Sequence, residues 1–143
     1  LIAANAGILV TRVIRTKQGQ AKNFMIVDAA MTELVRPTLY GAHHDIGLVR
    51  QSEEKLLAWD VVGPVCESGD FLGLARELPE LEPGALLAVF SAGAYGAVLG
   101  SSYNTRPAAP EVLVEGARHD VVRRRPSYAD MLAGEKVPDW LSS

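Results

Sequence analysis

Cys66, the only cysteine in the chain, stands in Gly63-Pro64-Val65-Cys66-Glu67-Ser68-Gly69-Asp70. A thiol there can act as a nucleophile or hand over a proton, because thiols as a class ionise closer to neutrality than hydroxyls do. A lone cysteine without context is most simply a small buried hydrophobe. Here the proline ahead, the glycine behind and the carboxylates Glu67 and Asp70 build a polar turn on a strand end, the kind of place where sites sit on a rigid scaffold. A cysteine hydrolase would also want an imidazole close by. The three histidines are His43, His44 and His119, and sequence places none of them beside Cys66.

Three further groupings carry chemistry. Arg36-Pro37-Thr38-Leu39-Tyr40-Gly41 sets a planar cation four residues ahead of a phenol, a combination suited to gripping a carboxylate or phosphate, against the plainer reading of a surface arginine. Gly93-Ala94-Tyr95-Gly96 puts an aromatic hydroxyl between glycines that permit close backbone approach to a ligand; a core tyrosine in a Gly-rich bend reads as well. His43-His44-Asp45 contains metal-ligating types, but neighbours in a strand point to opposite faces, so the two rings do not easily share one ion and no metal is expected. His119 reads as solvent-exposed on a hairpin, and Arg123-Arg124-Arg125 as a solvated strand end.

Short strands and turns must position these groups. From Ile8 to Thr16, Leu9, Thr11, Val13 and Arg15 alternate with Ile8, Val10, Arg12 and Ile14, a long strand with one better-buried face. The polar turn Lys17-Gln18-Gly19-Gln20 leads into the apolar run 23–28, and together they read as a hairpin. The stretch 31–38 reads as a loop with at most one helical turn, Pro37 pushing Arg36 toward an extended conformation. His43 to Arg50 and Leu56 to Val65, separated by the charged turn 51–55, are expected to pair antiparallel. Leu86 to Phe90 follows a Pro-Gly turn signal as another buried strand. The alternating runs 111–115 and 119–123 flank Gly116-Ala117 as a further hairpin. Ser127 caps an expected helix reaching Leu132, and 92–100 is rich enough in small residues for a tight turn or short helix. Six or more short strands with helical pieces at the edges point to a β-sandwich or barrel.

Composition narrows the function classes. The 143 residues are 48% hydrophobic, and 14 Lys plus Arg against 17 Asp plus Glu leave a formal charge of −3. Dispersed basic residues offer no broad cationic surface for a phosphate backbone, so nucleic acid is not an expected partner. One cysteine excludes an intramolecular disulfide framework and suits a reducing cytosol. No apolar stretch approaches the roughly 20 residues that span a bilayer, and no signal-like segment leads the chain, so a cytoplasmic protein without membrane contact is expected. The opening run Leu1-Ile2-Ala3-Ala4-Asn5-Ala6-Gly7-Ile8-Leu9-Val10 lacks Met and is already strand-like, whereas free termini are usually polar. A fragment is expected, and with it half a site.

Four segments, taken in order, resemble the C-terminal domain of the diaminopimelate decarboxylases, pyridoxal-phosphate enzymes of the alanine-racemase-like class that make lysine. They are Val27-Asp28-Ala29-Ala30-Met31 leading to Arg36-Pro37-Thr38-Leu39-Tyr40-Gly41-Ala42-His43-His44; Val62 through Leu72 around Cys66; Ala92-Gly93-Ala94-Tyr95-Gly96; and Ser102-Tyr103-Asn104-Thr105-Arg106-Pro107 running into Glu111-Val112-Leu113-Val114. Each is weak alone; their order and spacing are specific. The resemblance is high from Leu1 to about Val114 and less distinct beyond. It implies one mainly β domain over 1–143, a β-sandwich or Greek-key barrel-like unit with one or two short helices, whose TIM-like barrel is absent. That barrel carries the cofactor-binding lysine, the glycine-rich phosphate loop and an E-P-G-R segment, and this chain begins where that segment would end. Lys17, Lys22, Lys55 and Lys136 all lie in polar stretches, so the fragment alone is expected to be inactive.

The resemblance also implies roles. Cys66 matches the acid that returns a proton to the substrate carbon, donated across a homodimer interface into the partner's barrel. Glu67 matches the residue on the substrate's distal ammonium, Arg36 and Tyr40 the pair on its distal carboxylate, and Tyr95 the tyrosine that closes over cofactor and substrate. Asp70 is expected to hold the turn presenting Cys66. His43, where an aromatic residue is frequent, and Gly100-Ser101 depart from the pattern. The expected activity is conversion of meso-diaminopimelate to L-lysine and CO2. A related amino-acid or carrier-linked decarboxylase is the alternative within the class, since Cys-Glu-Ser-Gly-Asp and Gly-Ala-Tyr are shared widely. A stand-alone β-sandwich interaction module with a structural Cys66 is the alternative outside it.

Overall fold

A computed structural model describes residues 2–141; Leu1, at the head of the apolar opening run, and Ser142 and Ser143 lie outside the described residues. The chain forms eight strands, two short α-helices and four 3-10 turns among the described residues. Six strands make one sheet in the order β3-β6-β1-β2-β4-β5, and β7 and β8 form a separate pair.

Strand β1 (Leu9–Gln18) and β2 (Asn23–Val27) are the expected hairpin, antiparallel and closed by the Gly19 N–H on the Lys22 carbonyl at 3.1 Å. Thr11 and Val13 turn inward while Val10, Arg12 and Ile14 face out, as period-2 alternation requires. Strand β6 (Leu86–Val89) lies antiparallel on the other side of β1, through Leu9↔Val89 to Arg12↔Leu86.

The expected pairing around the turn 51–55 is not made. Strand β3 (Ile46–Leu48) instead pairs antiparallel with β6, and β4 (Leu56–Val62) runs parallel to β2 and antiparallel to β5 (Phe71–Pro79). Segment 49–55 is therefore a crossover rather than a hairpin turn. The partners that bury Val61 and Trp59 are distant in sequence, and a charged turn only permits local pairing. Strand β5 has no counterpart in the sequence reading. Gly73 and the left-handed Ala75 (φ 50°) interrupt its alternation, and the pairing with β4 shifts register between Trp59 and Val61.

The sheet curls until its edges β3 and β5 meet, where a Cβ on Gly73 would stand 3.0 Å from Ile46 Cδ1. Of the expected all-β arrangements, the nearly closed, barrel-like one is formed. Its core is Val13, Met25, Val27, Leu34, Trp59, Val61, Leu72, Leu87 and Val89. Trp59 is fully buried and its Nε1–H donates to the Leu78 carbonyl at 3.0 Å, so the polar end of the ring is not orphaned.

The C-terminal part is built as the local signals predict. β7 (Glu111–Glu115) and β8 (Arg118–Arg123) turn at Gly116, φ 59°, and α2 (Tyr128–Leu132) starts with a capping box between Ser127 and Asp130. Arg124 and Ser127 hydrogen-bond the Asp130 carboxylate and hold it far below the usual carboxylate range. His119 is exposed, as expected. Val112, Leu113, Val114, Val121 and Val122 are all at least half exposed, so this hairpin carries apolar side chains into solvent on both faces. No helix among the described residues is long and apolar enough to cross a membrane.

Candidate functional site

The loop after β4 is organised by a buried carboxylate. Asp70 is 4% exposed; its Oδ2 accepts the Val65 N–H and its Oδ1 the Met31 N–H, each at 2.7 Å. The Gly63 N–H donates to the Asp70 carbonyl at 3.1 Å, and a Cβ on Gly63 would overlap the carboxylate, so this position needs glycine for close approach. Val65 and Asp70 are thus anchored inward while Cys66, Glu67 and Ser68 between them are exposed. The role expected for Asp70 is visible, with an addition: the same carboxylate reaches back to the segment that leads into Arg36.

That segment enters α1 (Arg36–Tyr40). Arg36 does not take the extended conformation expected ahead of Pro37; it opens the helix, because proline in the first turn lacks only an N–H that would have no partner there. The helix ends at Gly41 in the left-handed region, φ 61°, where glycine is at home. Thr38 Oγ1 donates a short hydrogen bond to the Gly69 carbonyl, and a Cβ on Gly69 would come within 2.7 Å of Thr38 Cγ2. Helix α1 therefore rests directly on the Cys66 loop. Tyr40, 65% exposed, stands at its C-terminal end.

Tyr95 lies in the loop after β6, 62% exposed and with φ 60°, a backbone state uncommon for an aromatic residue. The bend is held by Gly93, where a Cβ would overlap the Ala3 carbonyl, and by the Ser101 N–H on the Thr32 carbonyl at 3.0 Å. The Arg36 guanidinium carbon is 6.0 Å from the centre of the Tyr95 ring, at cation–π distance. Arg36 and Tyr40 on α1, and Cys66, Glu67 and Tyr95 on two loops, are thus tied together by Asp70, Thr38 and the Arg36–Tyr95 contact.

Two supports were not legible beforehand. Arg106 donates to the Asp28 carbonyl at 2.7 Å and to Thr32 Oγ1 at 3.2 Å, and it lies 3.5 Å from Glu33, clamping the turn that precedes α1. Its segment, Ser102 to Pro107, contributed to the resemblance; an arginine next to left-handed Asn104 and Thr105 gave no sign of its target. The other is His44, 2% exposed, with Nδ1 on the Phe90 carbonyl at 2.9 Å and Nε2 3.4 Å from Arg36 Nη1. His43 instead meets Asp45 at 3.0 Å and Arg76 at 2.8 Å. The two rings serve different partners, and no group of three or more His, Cys, Asp or Glu able to hold a metal occurs among the described residues.

The donor set suits one end of an amino-acid substrate: a guanidinium and phenol for a carboxylate, a carboxylate for an ammonium, and a thiol for a proton. At the rim of this set the exposed Tyr95 ring leaves a face and a hydroxyl that a cofactor such as pyridoxal phosphate could meet. Of the lysines, Lys22 is bonded to Asp60 at 2.8 Å and Lys136 to Asp139 at 3.0 Å.

The profile of the family "Pyridoxal-dependent decarboxylase, C-terminal sheet domain" matches residues 1–93. The chain is 47% identical over 141 residues to the diaminopimelate decarboxylase of Archaeoglobus fulgidus, covering 98% of this chain and 33% of that protein. It is 52% identical over 136 residues to that of Pseudomonas fluorescens, covering 95% of this chain and 32% of that protein. The crystal structure of diaminopimelate decarboxylase from Helicobacter pylori complexed with L-lysine superposes with a TM-score of 0.86 at 42% identity, over 92% of this chain and 32% of that one. The chain spans about a third of the length of the curated relatives it matches. With the sheet, the loops and the relatives in agreement, the chain belongs to the pyridoxal-dependent decarboxylases, as their C-terminal sheet domain.

Proposed function

We propose that residues 1–143 form a single domain of a cytoplasmic diaminopimelate decarboxylase, active as a homodimer once joined to a cofactor-binding barrel, and that it makes L-lysine and CO2 from meso-diaminopimelate. The observation that carries this reading is the union of two loops: Thr38 on Gly69, and Asp70 on both Val65 and Met31, hold a carboxylate-binding pair and a thiol–carboxylate pair as one unit.

Pyridoxal phosphate, when bound, supplies the sink for the electron pair left as CO2 departs. This chain's residues do the rest. The Arg36 guanidinium offers parallel N–H donors to both oxygens of the distal carboxylate, with the Tyr40 hydroxyl as a further donor. Glu67 accepts hydrogen bonds from the distal ammonium, so substrates lacking that ammonium leave a carboxylate unpaired. Tyr95 covers the reacting end and excludes water. The Cys66 Sγ–H bond breaks as a C–H bond forms at the carbon that lost CO2, and the exposed thiolate regains its proton from solvent, so each turnover consumes one proton. Cys66 serves the site of the neighbouring subunit.

The test is release of CO2 and L-lysine from meso-diaminopimelate by the holoenzyme containing this domain, with L-ornithine and L-arginine as competing substrates. Arg36→Ala should raise KM for diaminopimelate by at least tenfold, the expected loss for a charged hydrogen-bond pair. A preference for ornithine or arginine, or an Arg36→Ala enzyme with unchanged KM, would overturn the substrate assignment.

A further inference from the structure

We infer that His44 is a positioning residue that selects the orientation of the Arg36 guanidinium, and through it the enzyme's grip on the substrate's distal carboxylate. The inference deepens the proposed function and rests on its assignment of Arg36. His44 is buried at 2% exposure beneath α1, just before β3. Its Nδ1 lies 2.9 Å from the Phe90 carbonyl, which can only accept, so Nδ1 carries the ring proton. Nε2 is then a lone pair, and it faces Arg36 Nη1, which can only donate, at 3.4 Å. Both ring nitrogens are committed, and the neutral Nδ1–H tautomer is the one form that satisfies both partners.

The consequence is mechanical. Arg36 is half-buried on a five-residue helix and has many rotamers. One edge of its guanidinium is held by His44, and the Tyr95 ring stands 6.0 Å from its carbon. The remaining N–H groups are left to bind a carboxylate without first losing their freedom on binding. Phe90 directly follows β6, and its own N–H donates to the Asp45 carbonyl at 2.8 Å, so the anchor of His44 is the end of the β3–β6 pairing. The same residue thereby couples the strand leading to the Tyr95 loop with the helix bearing Arg36 and Tyr40.

Two substitutions separate the two nitrogens. His44→Asn keeps a donor for the Phe90 carbonyl and loses the acceptor toward Arg36; His44→Gln reaches the Nε2 position with an amide oxygen. In the holoenzyme, His44→Asn should weaken L-lysine binding by about tenfold, raise KM for diaminopimelate in parallel, and leave kcat within about twofold. Binding of 1,5-diaminopentane, which has no carboxylate, should be unchanged, and His44→Gln should recover part of the L-lysine affinity. A purely structural histidine would weaken both ligands together, and that result, or an unchanged L-lysine affinity in His44→Asn, refutes the inference. Arg36→Lys separates the two layers. If it leaves L-lysine affinity intact, the assignment of Arg36 fails and this inference with it; if it weakens L-lysine while His44→Asn does not, this inference fails alone. The wild-type chain gives a check free of folding effects: 15N NMR should show His44 protonated at Nδ1 and unprotonated at Nε2, and the opposite tautomer would refute the proposal.

Discussion

Replacing Asp70 by Asn tests whether one carboxylate holds both halves of the site. Asp70 accepts one N–H from the Cys66 loop and one from the segment ahead of α1, both at 2.7 Å, in a place that is 4% exposed. An Asn side chain retains one acceptor oxygen; its NH2 group must face the other N–H, donor against donor. Leaving one buried donor unsatisfied costs about 1–3 kcal/mol. Asp70→Ala orphans both N–H groups and should cost about twice as much. At roughly 2–5 °C per kcal/mol for a domain of this size, Asp70→Asn should lower Tm by roughly 2–15 °C. Because Arg36, Tyr40, Cys66 and Glu67 all hang from these two loops, the holoenzyme should lose affinity and turnover together, on the order of 10²-fold for a displacement near 1 Å. Urea unfolding and steady-state kinetics on the same preparation measure both effects. Gly63→Ala, whose methyl would overlap the Asp70 carboxylate, should reproduce the pattern without changing any charge. An Asp70→Asn protein within 0.5 kcal/mol of wild type and with unaltered kinetics would refute the reasoning.

Cys66→Ala should behave in the opposite way: the thiol is exposed, so Tm should barely move, while loss of the proton donor should lower kcat by about 10² or more. Mixed dimers of Cys66→Ala subunits with subunits lacking the barrel lysine should regain up to one working site each, and mixed dimers without activity would end the claim that the thiol acts in trans. Burial alone would raise the Asp60 carboxyl pKa, but hydrogen bonds from Lys22 and the Ala75 N–H, with the Lys22 charge, outweigh it and leave Asp60 lowered. Since the folded value lies below the unfolded one, which is about 3.9 for an aspartate, this stabilisation is complete above the unfolded pKa and disappears as pH falls through the folded one. Lys22→Met should flatten that acid limb in urea titrations, and an unchanged limb would count against the pair. Exposed Val112, Leu113, Val114, Val121, Val122 and Trp140 should make the isolated chain self-associate at high concentration, which sedimentation would contradict with a strictly monomeric species.

Short-range information was legible in the sequence. Period-2 alternation from Leu9 and the polar turn at Gly19 specify the β1–β2 hairpin, alternation around Gly116 specifies β7–β8, and Ser127 with Asp130 specifies the start of α2, because each signal acts between residues a few positions apart. Residue types and order also singled out Arg36, Tyr40, Cys66, Glu67 and Tyr95. Which strands pair beyond these hairpins was decided only in three dimensions. β3 joins β6 and β4 joins β2, since burying Val61 and Trp59 rewards distant partners that a local turn cannot name. β5 stayed hidden because Gly73 and Ala75 bend it around the barrel and break its alternation. The long-range supports of the site were hidden for the same reason. Asp70 was legible as the holder of its own turn, but its bond to Met31 and the bonds of His44 and Arg106 span 8 to 78 residues, and a hydrogen bond across such a span leaves no periodic trace in the chain that makes it.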